Sequence, residues 1–160
     1  MESVEIRGNK STRDLLREAG LFLLHTVIAV AALAIVVAAF WIARADPDSS
    51  RPKILGTVLA FFVPMLVSFL IFRVRKDNVA GFVWISGMIF FLVVCVYVLD
   101  LPTGPGLCEH CGLLERLYRT FFSIDNNSGM LGGDGLLIGS WIPLSIIGYA
   151  VGAKVGSSVE

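Results

Sequence analysis

Charge is what this sequence has least of. Asp, Glu, Lys and Arg make up 16% of its 160 residues, against about 25% in ordinary soluble domains. The 13 basic and 13 acidic residues cancel. With no basic excess to neutralise phosphates, nucleic acid is excluded as a partner. Histidine is as scarce, with two in the chain, so no paired axial ligands for a haem are available within an apolar segment. P-loop and metalloprotease motifs are missing, and so are internal repeats and low-complexity tracts. Four stretches carry no Asp, Glu, Lys or Arg at all. Intramembrane charges mark proton and ion pathways, so an autonomous pump or ion-coupled transporter is not expected.

What fills those stretches is aliphatic and aromatic. Hydrophobic residues make up 56% of the chain and the mean hydropathy is +0.78. The uncharged runs are residues 21–43, 54–72, 79–99 and 136–153. At 1.5 Å per residue, about 20 apolar residues cross the ~30 Å hydrocarbon core of a bilayer. The expectation is therefore one all-α transmembrane domain over residues 1–160, a four-helix membrane bundle. The fourth run is the least regular, with Gly139, Ser140, Pro143, Ser145, Gly148 and Gly152, and a tilted or re-entrant segment is its alternative. Ala43-Arg44-Ala45 resembles a signal cleavage site, but the apolar run before it exceeds the 7–15 residues of a typical signal core. A retained anchor is expected.

Four spans place both termini and the link around Arg73, Arg75 and Lys76 on one side. Together with Arg7, Lys10, Arg13, Arg17 and Lys154, that side carries more basic residues than the other, which has Arg44, Arg51, Lys53, Arg116 and Arg119. Basic loops are retained in the cytoplasm, so both termini are expected there, and the expected location is a plasma (inner) membrane. The links 44–53 and 73–78 are short, which makes sequential spans antiparallel neighbours.

The outer segment 100–135 is the only connection long enough to hold structure of its own. After the turn-rich Leu101-Pro102-Thr103-Gly104-Pro105-Gly106 comes Cys108-Glu109-His110-Cys111. Leu114, Leu117, Tyr118, Phe121 and Phe122 then follow at helical spacing, which predicts an amphipathic helix over 112–124 lying in the membrane interface. Arg116 and Arg119 are expected on its wet side, with Glu115 and Arg119 forming an i,i+4 pair. Asp125, Asn127 and Gly129 do not continue into a calcium loop, since Met130 and Leu136 stand where Gly and Glu are required.

Three chemistries fit the cysteine pair. The first is redox. Cys108 and Cys111 precede a helix whose N-terminus favours a thiolate, and His110 adds a cationic neighbour. The tetrapeptide resembles the active site of thioredoxin-like disulfide oxidases. That resemblance covers four residues, no βαβ pattern surrounds it, and no family is implied. Cys95, in the outer part of the third run, is the only further thiol. The second is a metal clip using Cys108, His110 and Cys111, which falls one ligand short of a structural zinc site. The third, and the favoured one, is a structural disulfide shaping the loop. No cofactor is implied. His25, near the cytoplasmic end of the first run, is expected to bond a backbone carbonyl or headgroup, because a buried polar group needs a partner.

Gly148, Gly152 and Gly156 recur every fourth residue, a ridge that lets helices approach closely within the chain or across a subunit boundary. Ala31, Ala34 and Ala38 form a similar face in the first run. Pro64 and Pro143 are expected to kink their helices. The functional expectation is a small polytopic membrane protein that is a non-catalytic subunit or accessory protein, partnered by the bilayer and by other membrane subunits or copies of itself. A thiol–disulfide oxidoreductase and a channel-like or lipid-handling oligomer are the alternatives.

Overall fold

The computed structural model describes residues 12–44, 50–74, 79–101, 111–122 and 137–158. Among these residues the chain is almost entirely helical, with no strand. Helix α1 spans Thr12–Ile42 and α2 spans Ser50–Val74. A 3₁₀ turn, Ala80–Phe82, leads into α3 at Trp84–Asp100. The short α4 is Leu113–Phe121, and a π-helical turn at Leu137–Trp141 leads into α5 at Ile142–Ser158. Three helical stretches are long and apolar enough to cross a bilayer: Thr12–Ile42, Pro52–Val74 and Ala80–Asp100. Helix α2 starts earlier than the sequence suggests, so Arg51 and Lys53 belong to the helix and not to the link before it. Two residues past the end of α1, Arg44 takes a left-handed φ of 51°, a conformation common where a helix closes.

Helix α5 is the most buried element. Ser145, Ile146, Gly148, Tyr149, Ala150, Gly152, Ala153 and Gly156 are all enclosed, and α5 packs against α1, α2 and α3. Its glycines explain how it fits there. A Cβ on Gly148 would meet the carbonyl of Phe61, one on Gly152 the carbonyl of Met65, and one on Gly156 would lie 2.7 Å from the carbonyl of Phe69. Both helices advance four residues per contact in the same direction, so α2 and α5 run parallel. Helix α1 runs against them: His25 meets Phe72 and Tyr149, whereas Leu33 and Val36 reach Ala60 and Trp141. Helix α3 follows the direction of α1 and runs against α5: Gly87 lies against Ile146, whereas Phe91 meets the Phe121 ring that covers Gly139. Thr26, midway along α1, shares a 3.2 Å hydrogen bond with Ser86.

Polar groups inside this apolar assembly are matched locally. Ser68 donates to the Met65 carbonyl and Ser145 to that of Ile142, the backbone bonds that hydroxyls adopt when helices leave them no water. His25 is buried and its Nδ1 lies 3.0 Å from the Tyr149 hydroxyl. This partner is a side chain 124 residues away, where a backbone carbonyl or headgroup was expected. Pro143 has no N–H to offer the Gly139 carbonyl, and the π-helical turn occupies the stretch just before it. Such a local change of helical pitch is a known way to accommodate proline.

The glycine ridge yields a direct test. Gly152→Ala forces a methyl against the Met65 carbonyl and the Ser68 hydroxyl, and overpacking of this kind costs about 1–3 kcal/mol. Gly20 has open space where a Cβ would go. Thermal unfolding in detergent should therefore show a lower Tm for Gly152→Ala and an unchanged or higher one for Gly20→Ala.

Candidate functional site

The ends of the helices that carry Ile42, Pro52, Asp100 and Trp141 gather at one end of the molecule, and α4 lies there. Three attachments hold it. Phe121 is buried, with its ring centroid 4.8 Å from that of Phe91 on α3. Ser140 donates a 2.8 Å hydrogen bond to the Phe121 carbonyl at the end of α4. Arg116 reaches back to the end of α3, where its Nη1 donates to the carbonyls of Leu99 and Leu101, both at 3.3 Å.

The Arg116 contact corrects the expectation that this side chain faces water or headgroups. The last carbonyls of a helix have no intrahelical donors and carry partial negative charge. A guanidinium on the next helix satisfies both requirements, which a helical-wheel reading of α4 alone cannot reveal. Arg119 does point outward, donating to Glu115 at 2.8 Å. Exposed pairs of this kind contribute only about 0.3–0.5 kcal/mol.

The apolar positions of α4 divide between two surfaces. Leu117 and Phe121 join Val94, Val98 and Phe90 in a cluster between α3 and α4. Leu114, Tyr118 and Phe122, one turn apart, stay 84%, 61% and 66% exposed. Tyr118 and Phe122 stack on each other, with centroids 6.4 Å apart.

The cysteines fall at the edge of this arrangement. Cys111 is disulfide-bonded and stands immediately before Gly112, the extended N-cap residue of α4. Cys108 and His110 lie outside the described residues. Cys95 is a free thiol, half-buried against the same cluster of Val94, Val98 and Phe121. Its surroundings are apolar, those of a small hydrophobe.

A second polar feature was not legible from the sequence. The Trp141 indole Nε1 donates to Thr57 Oγ1 at 3.0 Å, and Thr57 Oγ1 donates to the Lys53 carbonyl at 2.8 Å. Gly56 makes room for the Trp141 ring, which a Cβ there would overlap. This seam joins the start of α2 to the π-helical turn, and its residues are 84 positions apart in sequence.

No protein-family model matches the chain, and no curated protein or solved structure matches it.

Loss of the Arg116 attachment should loosen α4 selectively. Hydrogen bonds to charged groups contribute about 1.5–3 kcal/mol each, and the 3.3 Å lengths here put the pair at the lower end. Arg116→Met keeps the stem and removes the donors. Amide exchange across residues 113–121 should speed up about tenfold in this variant and change little in Arg119→Met.

Proposed function

We propose that this chain is a four-span integral membrane protein acting as a non-catalytic subunit or accessory protein of a larger membrane assembly. The fourth span is α5 with its π-helical lead, which together supply roughly 30 Å of helix. Both termini face the cytoplasm, and α4 lies at the outer interface. There Leu114, Tyr118 and Phe122 dip into the acyl boundary, while Glu115 and Arg119 stay among headgroups.

The observation that carries the subunit reading is on α1. Its outward side holds a groove of about 380 Å³ floored by Ala34 and Ala38 and walled by Val30, Val37, Trp41 and Ile142. Small residues one turn apart let a second helix approach closely. The glycine ridge of α5 is already used inside the chain, whereas Ala34 and Ala38 remain exposed. The occupant proposed is a transmembrane helix of another subunit. In this reading the Cys108–Cys111 pair is structural and fastens the outer loop at the start of α4. Packing of Cys95 among Val94, Val98 and Phe121 supports that role over a three-thiol relay.

The test is purification of the tagged protein in mild detergent, with native mass measurement. A partner of fixed stoichiometry should accompany the wild type and be lost when Ala34→Leu and Ala38→Leu together fill the groove. The variant's own thermal unfolding should be unchanged. A wild-type chain that runs alone at monomer mass would contradict the proposal. So would a Cys111→Ser variant that traps a specific protein through Cys108, because a mixed disulfide is the intermediate of thiol exchange and points to an oxidoreductase.

A further inference from the structure

A cavity of about 310 Å³ lies between α3, α4 and α5, with Thr57 of α2 at one end, and shares no lining residue with the α1 groove. Its walls are graded along the helix axes. At the end beneath α4 stand Thr57, Gly139 and Ser140, together with the rings of Phe121 and Phe122. Towards the middle of the molecule the lining is Met88, Leu144 and Ile147, with no polar side chain. Met88 and Phe122 are exposed at its rim, so the cavity opens sideways, along the flank that faces lipid when the helices span a bilayer.

The polar end has a definite hydrogen-bonding character. The Ser140 hydroxyl proton is committed to the Phe121 carbonyl. That of Thr57 goes to the Lys53 carbonyl, and the indole N–H beside it goes to Thr57. A hydroxyl oxygen has two lone pairs, so Ser140 and Thr57 keep acceptor capacity but have no proton to give. This end offers acceptors, and among the described residues no charged side chain lines the cavity.

We infer that this cavity binds a single-chain amphiphile with a hydroxyl headgroup, admitted sideways from the bilayer. The headgroup O–H donates to the acceptors at Ser140 and Thr57, and the chain runs past Phe91 towards Met88 and Ile147. Volume sets the chain number. At about 30 Å³ for each water-sized group, the cavity holds on the order of ten such groups, enough for a headgroup and the upper part of one chain. Two-chain lipids do not fit, and anionic headgroups would meet lone pairs with no cation. The site is independent of the proposed groove on α1 and requires only that the helices lie in a bilayer.

The experiment uses the full chain in lipid nanodiscs and a long-chain primary alcohol carrying a diazirine on its tail. After photolysis, labelled peptides are mapped by mass spectrometry. Label is expected on the segments around Met88, Phe91 and Ile147. The unlabelled parent alcohol should compete. Its methyl ether, of nearly the same shape but without a donor, should compete roughly three- to tenfold more weakly, the value of one net hydrogen bond. Ile147→Trp fills the deep end and should reduce labelling at least about tenfold, the same ratio as 1.4 kcal/mol of binding. Met88→Trp, at the exposed rim, serves the same purpose if the first variant does not fold. Equal competition by the ether would overturn the hydroxyl assignment. Label spread evenly over the outer faces of α1, α2 and α3, or unchanged labelling in the filled variant, would overturn the site itself.

Discussion

Close parallel packing of α5 on α2 is the constraint from which the rest of the structure follows. Three glycines of α5 sit against three successive-turn carbonyls of α2, a separation that no larger residue permits. Once α5 is drawn in that far, its remaining faces must be covered by α1 and α3, and it becomes the centre of the molecule. Without a hydrophobic driving force between helices in lipid, such dispersion contact over small residues is the main source of cohesion. The same approach carries Trp141 over Gly56 and sets its indole on Thr57, which fixes the register of the two helices at one end. His25 and Tyr149 fix α1 against α5 towards the other.

Everything at the α4 end depends on that register. With Trp141 seated, the adjacent Ser140 donates to the end of α4, and Phe121 fits over Gly139, where a Cβ would lie 2.7 Å from its ring. Arg116 supplies the complementary attachment to α3. Helix α4 is thereby held by α3 and α5 at once, and the gap left beneath it is the cavity. Cys95, half-buried, packs at the side of the same cluster against side chains of α3 and α4.

The three long apolar helices were legible because absence of charge over such lengths has few physical explanations. The fourth run was harder to read, because the Gly, Ser and Pro residues that weaken its hydropathy are the ones that let it pack centrally. Its glycine ridge was visible at a spacing of four, but spacing does not say which helix fills the notch. Amphipathic periodicity located α4, yet it could not separate Leu117 and Phe121, which pack inward, from Leu114, Tyr118 and Phe122, which stay exposed. The Arg116 attachment and the Trp141–Thr57 seam were invisible for a different reason. Each joins residues from different helices, and nothing local in the chain encodes the pairing. Of the cysteine motif, Cys111 is seen in a disulfide beside the start of α4, while Cys108 and His110 fall outside the described residues.

The parallel α2–α5 packing is tested most directly by a distance between helix ends. Spin labels at Arg73 and Ser158 place one probe near the C-terminus of each helix, and Gly156 already lies against Phe69. Pulsed dipolar measurements on the protein in nanodiscs should give a single short distance, below about 25 Å once two label tethers are added to a packed helix pair 8–10 Å apart. An antiparallel or separated α5 would place the labels about a helix length apart, roughly 35 Å for a helix the size of α2, and that result would contradict the account.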